Sequence, residues 1–103
     1  MSKKELSVIE TLIGIFQGQP KDGEHIEYFD NDENGQIEVK GHFKYGEMVG
    51  EWIDYYENGQ IFTRKNYDEN GKEDGVWVEY HEDGTIVKEE VWKDGKIINS
   101  KFY

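Results

Sequence analysis

Hydrophobic and polar residues alternate along most of this chain, in short runs separated by turns that contain glycine. Runs such as Trp52–Tyr56 and Val76–Tyr80 are rich in β-branched and aromatic residues, which suit a pleated, half-buried surface. Each run has the length of a strand and is shorter than a typical helix. The pattern therefore predicts a mainly β protein built from short strands.

One sequence block recurs three times, beginning at Gly23, Gly50 and Gly75. In the second copy it reads Gly-Glu-Trp-Ile-Asp-Tyr-Tyr-Glu-Asn-Gly-Gln-Ile, and in the third Gly-Val-Trp-Val-Glu-Tyr-His-Glu-Asp-Gly-Thr-Ile. The period is 25 residues from Gly50 to Gly75 and 27 from Gly23 to Gly50, where an insertion at 30–32, offset by small deletions later in the unit, lengthens the first copy. The same order of residue types three times is the signature of a repeat array.

The repeat organises the whole chain into one predicted domain, residues 1–103. We expect three units, over residues 23–49, 50–74 and 75–103, after a lead-in over residues 1–22 that includes a degenerate half-unit. Within the lead-in, apolar residues at helical spacing predict a short helix over about residues 3–10, and residues 11–16 predict a strand.

Each unit is predicted to be a β-hairpin with a tight turn. The pairs Asn58-Gly59 and Asp83-Gly84 are those that a two-residue type I′ turn selects, because both central positions need positive φ. Such turns place six pairs of residues opposite one another: Tyr56 and Ile61, Tyr55 and Phe62, Trp52 and Lys65, His81 and Ile86, Tyr80 and Val87, and Glu79 and Lys88.

Strand alternation distributes apolar residues over both faces of the predicted sheet. One face is expected to carry Ile37, Phe43, Trp52, Tyr56, Ile61, Tyr67, Trp77, Ile86 and Trp92. The other is expected to carry Ile26, Tyr28, Ile53, Tyr55, Phe62, Val76, Val78, Tyr80, Val87 and Val91. The predicted fold is an antiparallel meander of about six to eight strands in a curled single sheet, which must curl, be covered or associate with a partner.

Charge narrows the classes of partner. The chain has 23 acidic and 12 basic residues, a formal net charge of −11. Such a surface repels nucleic acid and anionic membranes and attracts basic proteins, although it also serves solubility alone. We therefore expect a protein partner with a basic surface, and neither a nucleic acid nor a membrane.

The absence of cysteine removes disulfides and thiolate metal sites, and favours the cytoplasm.

The copies at Gly50 and Gly75, with their Gly-x-Trp-x-x-Tyr core and Asn/Asp-Gly turn, resemble the MORN-repeat variant of the bacterial YwqK-type antitoxin family. The resemblance covers roughly residues 14–103. The first copy departs from the pattern, because His25 stands in place of the tryptophan and the turn is longer. The resemblance implies a hairpin meander, no catalytic residues, and an antitoxin or immunity role against a partner toxin.

The remaining motifs point away from catalysis and cofactors. Asp30, Asp32 and Asn34 imitate the start of a calcium loop, but Gly41 stands where the bidentate glutamate is required, so a solvated hairpin insertion is the better interpretation. The three histidines lie in different units, and His25 and His81 occupy packing positions of other copies. No serine lies in a nucleophile elbow. We expect neither an enzyme nor a bound cofactor or metal.

The leading hypothesis is a non-catalytic inhibitor that binds a partner protein. Two alternatives are an acidic mimic of nucleic acid that inhibits a nuclease, and a structural scaffold that associates with itself. Acidic turn residues and aromatic side chains are the expected partner contacts: Asp30, Asp32, Glu57, Asp68, Glu69, Glu82, Asp83, Tyr56, Trp52 and Trp77.

Overall fold

A computed structural model describes residues 21–30 and 35–103. Seven strands form one open antiparallel sheet in the order of the chain, with each strand paired to the next. They are β1 (Gly23–Tyr28), β2 (Ile37–Lys44), β3 (Glu47–Tyr55), β4 (Ile61–Tyr67), β5 (Gly75–Tyr80), β6 (Ile86–Lys93) and β7 (Lys96–Phe102). The predicted meander is confirmed. The predicted helix over 3–10 and strand over 11–16 lie outside the described residues, as do Asp32 and Asn34.

The described residues form a single-layer sheet, and this limits how much side-chain surface they can bury. The described part of the chain measures 44 × 37 × 15 Å, whereas two packed sheets would add a second layer about 10 Å away. Among the described residues, Trp52 is the only large apolar side chain that is buried, with 4% of its surface exposed. Most other apolar side chains are half-buried.

The turns differ from those predicted. At the β3–β4 connection the Gly59 N–H donates to the Tyr56 carbonyl at 3.0 Å, and the Tyr56 N–H donates to the Gln60 carbonyl at 2.8 Å. Gly59 has φ 89°, but Asn58 is not left-handed, so the turn resembles a type I turn followed by a left-handed glycine. The prediction of type I′ turns at Asn58-Gly59 and Asp83-Gly84 is therefore wrong.

The side chain of Asn58 explains the difference. Its Oδ1 accepts the Gln60 N–H at 2.9 Å, which stabilises this turn without positive φ at the asparagine. Asp83 accepts the Thr85 N–H in the same way at 2.9 Å. Left-handed conformation at both central residues occurs instead at Tyr45-Gly46 and Asp94-Gly95, in the β2–β3 and β6–β7 connections.

The longer turn shifts the pairing next to it. Trp52 faces Lys65 as predicted, but after a bulge at Asp54/Tyr55, Tyr55 faces Ile61 and not Phe62. The third unit repeats this pattern: Glu79 faces Lys88 as predicted, and Tyr80 faces Ile86 and not Val87. The pairs predicted for Tyr56 and His81 are wrong for the same reason, since both residues belong to the turns.

The bulge also changes which side chains meet. Tyr56 and Phe62 were expected on opposite faces, but their ring centroids lie 4.8 Å apart. A bulge adds a residue to one strand, so simple alternation does not hold across it. Farther from the turns the predicted face is confirmed, because Phe43 contacts Trp52 and Trp77 contacts both Tyr67 and Trp92.

Tryptophans connect the second unit to the first and the third unit to the second. The indole of Trp52 lies against Gly41 of β2, and its Nε1–H donates to the His42 carbonyl at 3.1 Å. Phe43 packs edge-to-face on the same indole at 5.0 Å, and His25 lies 5.2 Å from Phe43. His25 is thus a packing residue, as its place in the repeat indicated.

The next unit repeats this connection. The Trp77 Nε1–H donates to the Asn66 carbonyl of β4 at 2.9 Å. Tyr67 and Trp92 flank the indole at 5.5 and 4.8 Å between ring centroids, and the Lys65 ammonium lies 5.1 Å from the ring centre. A tryptophan on the first strand of one unit therefore packs on the second strand of the preceding unit.

The close approach of Trp52 to Gly41 predicts that Gly41→Ala destabilises the fold. An added Cβ would lie 2.1 Å from the indole Cδ2, and overpacking of this kind costs about 1–3 kcal/mol. Urea denaturation followed by circular dichroism measures the change. Lys40→Ala, at the exposed neighbouring position, serves as the control and should change stability by less than about 0.5 kcal/mol. Equal midpoints for the two variants would contradict the packing role of Gly41.

Candidate protein-binding groove

The turns at one end of the sheet are joined to one another by side chains. The Tyr56 hydroxyl donates to the Tyr80 carbonyl at 2.6 Å. The Asn58 amide nitrogen donates to the Glu82 carbonyl at 3.0 Å. Both bonds span 24 residues, close to the repeat period, and therefore connect the second unit to the third. They hold this end of the single-layer sheet in a defined shape.

A groove with a volume of about 830 Å³ lies at this end. It crosses three units, because its walls come from the residue after β1, from β2 and β3, from the β3–β4 turn, from β4 and from the β5–β6 turn. We call it the acidic groove, and its lining residues are Phe29, Glu38, Val39, Asp54, Tyr55, Tyr56, Glu57, Asn58, Phe62 and Glu82.

The lining combines carboxylates with aromatic rings and contains no lysine or arginine. Its four acidic residues are Glu38, Asp54, Glu57 and Glu82. Asp54 accepts a hydrogen bond from the Thr63 hydroxyl at 2.5 Å. None of the four takes part in a salt bridge among residues 21–30 and 35–103, where the ion pairs are His25–Glu27, Arg64–Glu51 and Lys88–Glu90. The groove therefore carries uncompensated negative charge.

The negative charge of the groove affects the pKa of the Tyr56 hydroxyl. Partial desolvation raises the pKa of its hydroxyl above the usual 10.0, and the carboxylates of Glu79 and Glu82 raise that pKa further. Both causes favour the neutral phenol, which is the form that donates to the Tyr80 carbonyl. The Tyr56 ring is thus a neutral, hydrogen-bonded wall of the groove at physiological pH.

The structure brings three of the ten predicted contact residues together: Tyr56, Glu57 and Glu82 all line the acidic groove. Trp52 and Trp77 lie instead in the packing clusters between units, and Trp52 has almost no accessible surface. In this conformation the Trp52 side chain supports the sheet and offers nothing for a partner to contact.

The other predicted residues occupy different turns. Asp68 and Asp83 hold their own turns by accepting backbone N–H groups. The hydrogen bonds from Thr85 also lower the pKa of Asp83 below its usual range. Glu69 is exposed in the β4–β5 connection, Asp30 is exposed after β1, and Asp32 lies outside the described residues.

Sequence reasoning missed most of the groove walls. Phe29, Glu38, Asp54 and Phe62 come from different units and meet only because of the strand register. A signal for Phe62 was present, since it follows the turn glycine by three residues, but the bulge that aims it at Tyr56 is not visible in the residue pattern.

A second, smaller depression of about 300 Å³ differs in charge. Its lining mixes the acids Asp54, Glu79 and Glu90 with the bases Lys65 and Lys88. Lys88 lies 3.8 Å from Glu90, and the two lysines of the lining offset the charge of two of its three acids. This depression has no net attraction comparable to that of the acidic groove.

Metal sites and membrane spans have no counterpart in the described part of the chain. Within it, no cluster of three or more histidine, aspartate or glutamate side chains has the arrangement of a metal site. No helix in residues 21–30 or 35–103 is long and apolar enough to cross a membrane.

Comparison with known families identifies the class. The family model described as MORN repeat variant matches residues 21–45, 48–67 and 73–94, which is more than half of the chain. The chain therefore belongs to the MORN repeat variant family. Repeats of this kind generally bind proteins or membranes. No curated protein and no solved structure matches the chain.

The raised pKa of Tyr56 predicts a pH dependence of stability. Because its folded-state pKa lies above the unfolded value, its contribution is present in full below about pH 10 and is lost as pH rises through the folded pKa. Tyr56→Phe should remove that contribution, so its urea midpoint should fall less between about pH 8 and pH 11 than that of the wild type.

Tyr67 and Tyr103 also have raised pKa values. The loss of stability at alkaline pH should therefore be smaller in Tyr56→Phe than in the wild type, without vanishing. At about pH 8 the same variant should be less stable than the wild type, because it lacks the bond to the Tyr80 carbonyl. If Tyr56→Phe lost as much stability at alkaline pH as the wild type, ionisation of Tyr56 would not be coupled to folding.

Proposed function

We propose that this MORN-repeat protein is a non-catalytic inhibitor of the antitoxin or immunity type, which binds a partner protein that has a basic surface. The observation that carries the proposal is the acidic groove, whose four carboxylates lack ion-pair partners among the described residues. The resemblance to antitoxin sequences favours the same role. The repeats of this family generally bind proteins or membranes, which fits an inhibitor that acts by binding and without catalysis.

Electrostatics supplies the proposed mechanism. A formal net charge of −11 accelerates encounter with a basic protein and orients it before contact. The rigid end of the sheet then covers the partner's basic surface. Inhibition by covering needs only a shape that persists, and the cross-unit bonds of Tyr56 and Asn58 maintain that shape. We place this action in the bacterial cytoplasm.

The proposal predicts rescue of growth by co-expression. A gene adjacent to the one that encodes this protein should encode a product that arrests bacterial growth when it is expressed alone. Co-expression of the chain should restore growth, because the complex occludes the toxic surface, and the two proteins should copurify. The Gly41→Ala variant, if destabilised as predicted, should rescue less well. If no adjacent gene product is toxic or bound, the inhibitory role is wrong.

Self-association is a second candidate role, and one specific observation favours it. Eight large hydrophobic residues of the described chain are exposed, and four of them, Ile97, Ile98, Phe102 and Tyr103, lie in or directly after β7. β7 is an edge strand of the described sheet. Edge strands with exposed apolar residues are templates for pairing with another chain.

Light scattering across a range of concentrations tests this second role. Pairing through β7 predicts a mass that rises with concentration in the wild type and stays monomeric in Ile98→Lys, because the added charge would have to be buried at the interface. The matched control, Val76→Lys, changes an exposed apolar residue of the interior strand β5 and should assemble like the wild type. A monomeric wild type at all concentrations would eliminate the scaffold role.

A further inference from the structure

We propose that the acidic groove receives an extended, arginine-bearing segment of the partner protein, whose guanidinium groups stack on the aromatic wall and pair with the turn carboxylates. This inference rests on the proposed function, because it names the chemistry of the partner at the same site. It goes beyond overall charge attraction by assigning one place and one side-chain type.

Charge at the groove selects a cation. The acidic side chains include Glu38, Glu57 and Glu82, which are all exposed. No base lines the groove, and none of these carboxylates forms an ion pair within the part of the chain that the structure describes. The second depression contains a similar number of acids but also two lysines. Only the larger groove is complementary to a positively charged occupant.

The aromatic wall selects arginine over lysine. Phe62 has 38% of its surface exposed and lies 4.8 Å from Tyr56 between ring centroids. Tyr56 is held in place by its bond to the Tyr80 carbonyl. A planar guanidinium stacks on such rings and pairs with a carboxylate through its fork of N–H groups, whereas an ammonium is a strongly hydrated point charge.

The shape of the groove selects an extended segment. Its walls come from Phe29, which follows β1, from β2, β3 and β4 and from two turns, so it runs across strands. Its volume of about 830 Å³ is at the upper end of what a small-molecule site offers. Several side chains of an extended segment fill such a space, and alternate residues of that segment face the same wall.

Equivalent turns provide a matched control. Glu57 follows Tyr56 in the β3–β4 turn, and Glu69 occupies the same position in the turn between Asp68 and Lys72, which has the same backbone hydrogen bonds. Glu57 lines the groove and Glu69 does not. Glu57→Lys and Glu69→Lys therefore change the net charge equally, at equivalent backbone positions, and differ in their relation to the groove.

The experiment uses the full chain and three short capped peptides, in which serine alternates with arginine, lysine or glutamate. Calorimetry or tryptophan fluorescence measures binding. We expect the arginine peptide to bind more tightly than the lysine peptide, and the glutamate peptide not to bind. Glu57→Lys should lower the affinity for the arginine peptide about three- to tenfold, and Glu69→Lys should lower it less than about twofold.

The aromatic wall has its own test. Phe62→Leu keeps an apolar side chain of similar size but removes the ring, so the ratio of arginine to lysine affinity should fall toward one. Glu57→Gln removes charge without adding any and should give an intermediate loss. Equal weakening by Glu57→Lys and Glu69→Lys, or an unchanged ratio in Phe62→Leu, overturns the assignment.

The same variants separate this inference from the proposed function. Full growth rescue by Glu57→Lys would support the inhibitory role but would show that the acidic groove is not the surface that contacts the partner. Binding of the arginine peptide with the predicted variant pattern, but without a toxic partner among adjacent genes, would retain the groove chemistry and reject the inhibitory role.

Discussion

The described residues form a sheet of one layer, with no second layer among them against which to bury side chains, and this constraint shapes the described fold. The described residues meet it by laying an indole across the neighbouring strand. Trp52 lies on Gly41, where the missing side chain leaves room, and its N–H satisfies the His42 carbonyl. Burial and hydrogen bonding are thus obtained within the sheet itself, between one unit and the next, and Trp77 makes the corresponding hydrogen bond to β4.

The same coupling between units produces the acidic groove. Tyr56 and Asn58 of the second unit donate to carbonyls of the third, so hydrogen bonds connect the turns at this end. Their fixed spacing keeps Glu57 and Glu82 beside one groove, although these two residues belong to different units. Repetition therefore turns isolated acidic residues into a surface of concentrated negative charge, with an aromatic wall beside it.

Much of the fold followed from particular residues. The glycines at 23, 50 and 75 and the aromatic runs between them indicated hairpins in tandem, and the facing pairs Trp52–Lys65 and Glu79–Lys88 were predicted correctly. The turn type was not, because the Asn58 side chain accepts a backbone N–H and removes the need for positive φ. That local hydrogen bond competes with the type I′ geometry, and residue preference alone does not rank the two.

The sequence by itself determined the composition of the protein's surface and the order of its strands, because periodicity, turn glycines and net charge are properties of the chain read in one dimension. Only the tertiary structure decided which acidic residues act together. Glu57 and Glu82 share a groove with Phe62, while the equivalent Glu69 does not line it. The physical reasons are two: the hydrogen bonds of Tyr56 and Asn58 to the third unit hold Glu57 beside Glu82, and the bulge after Asp54 shifts the register by one residue and turns Phe62 toward Tyr56.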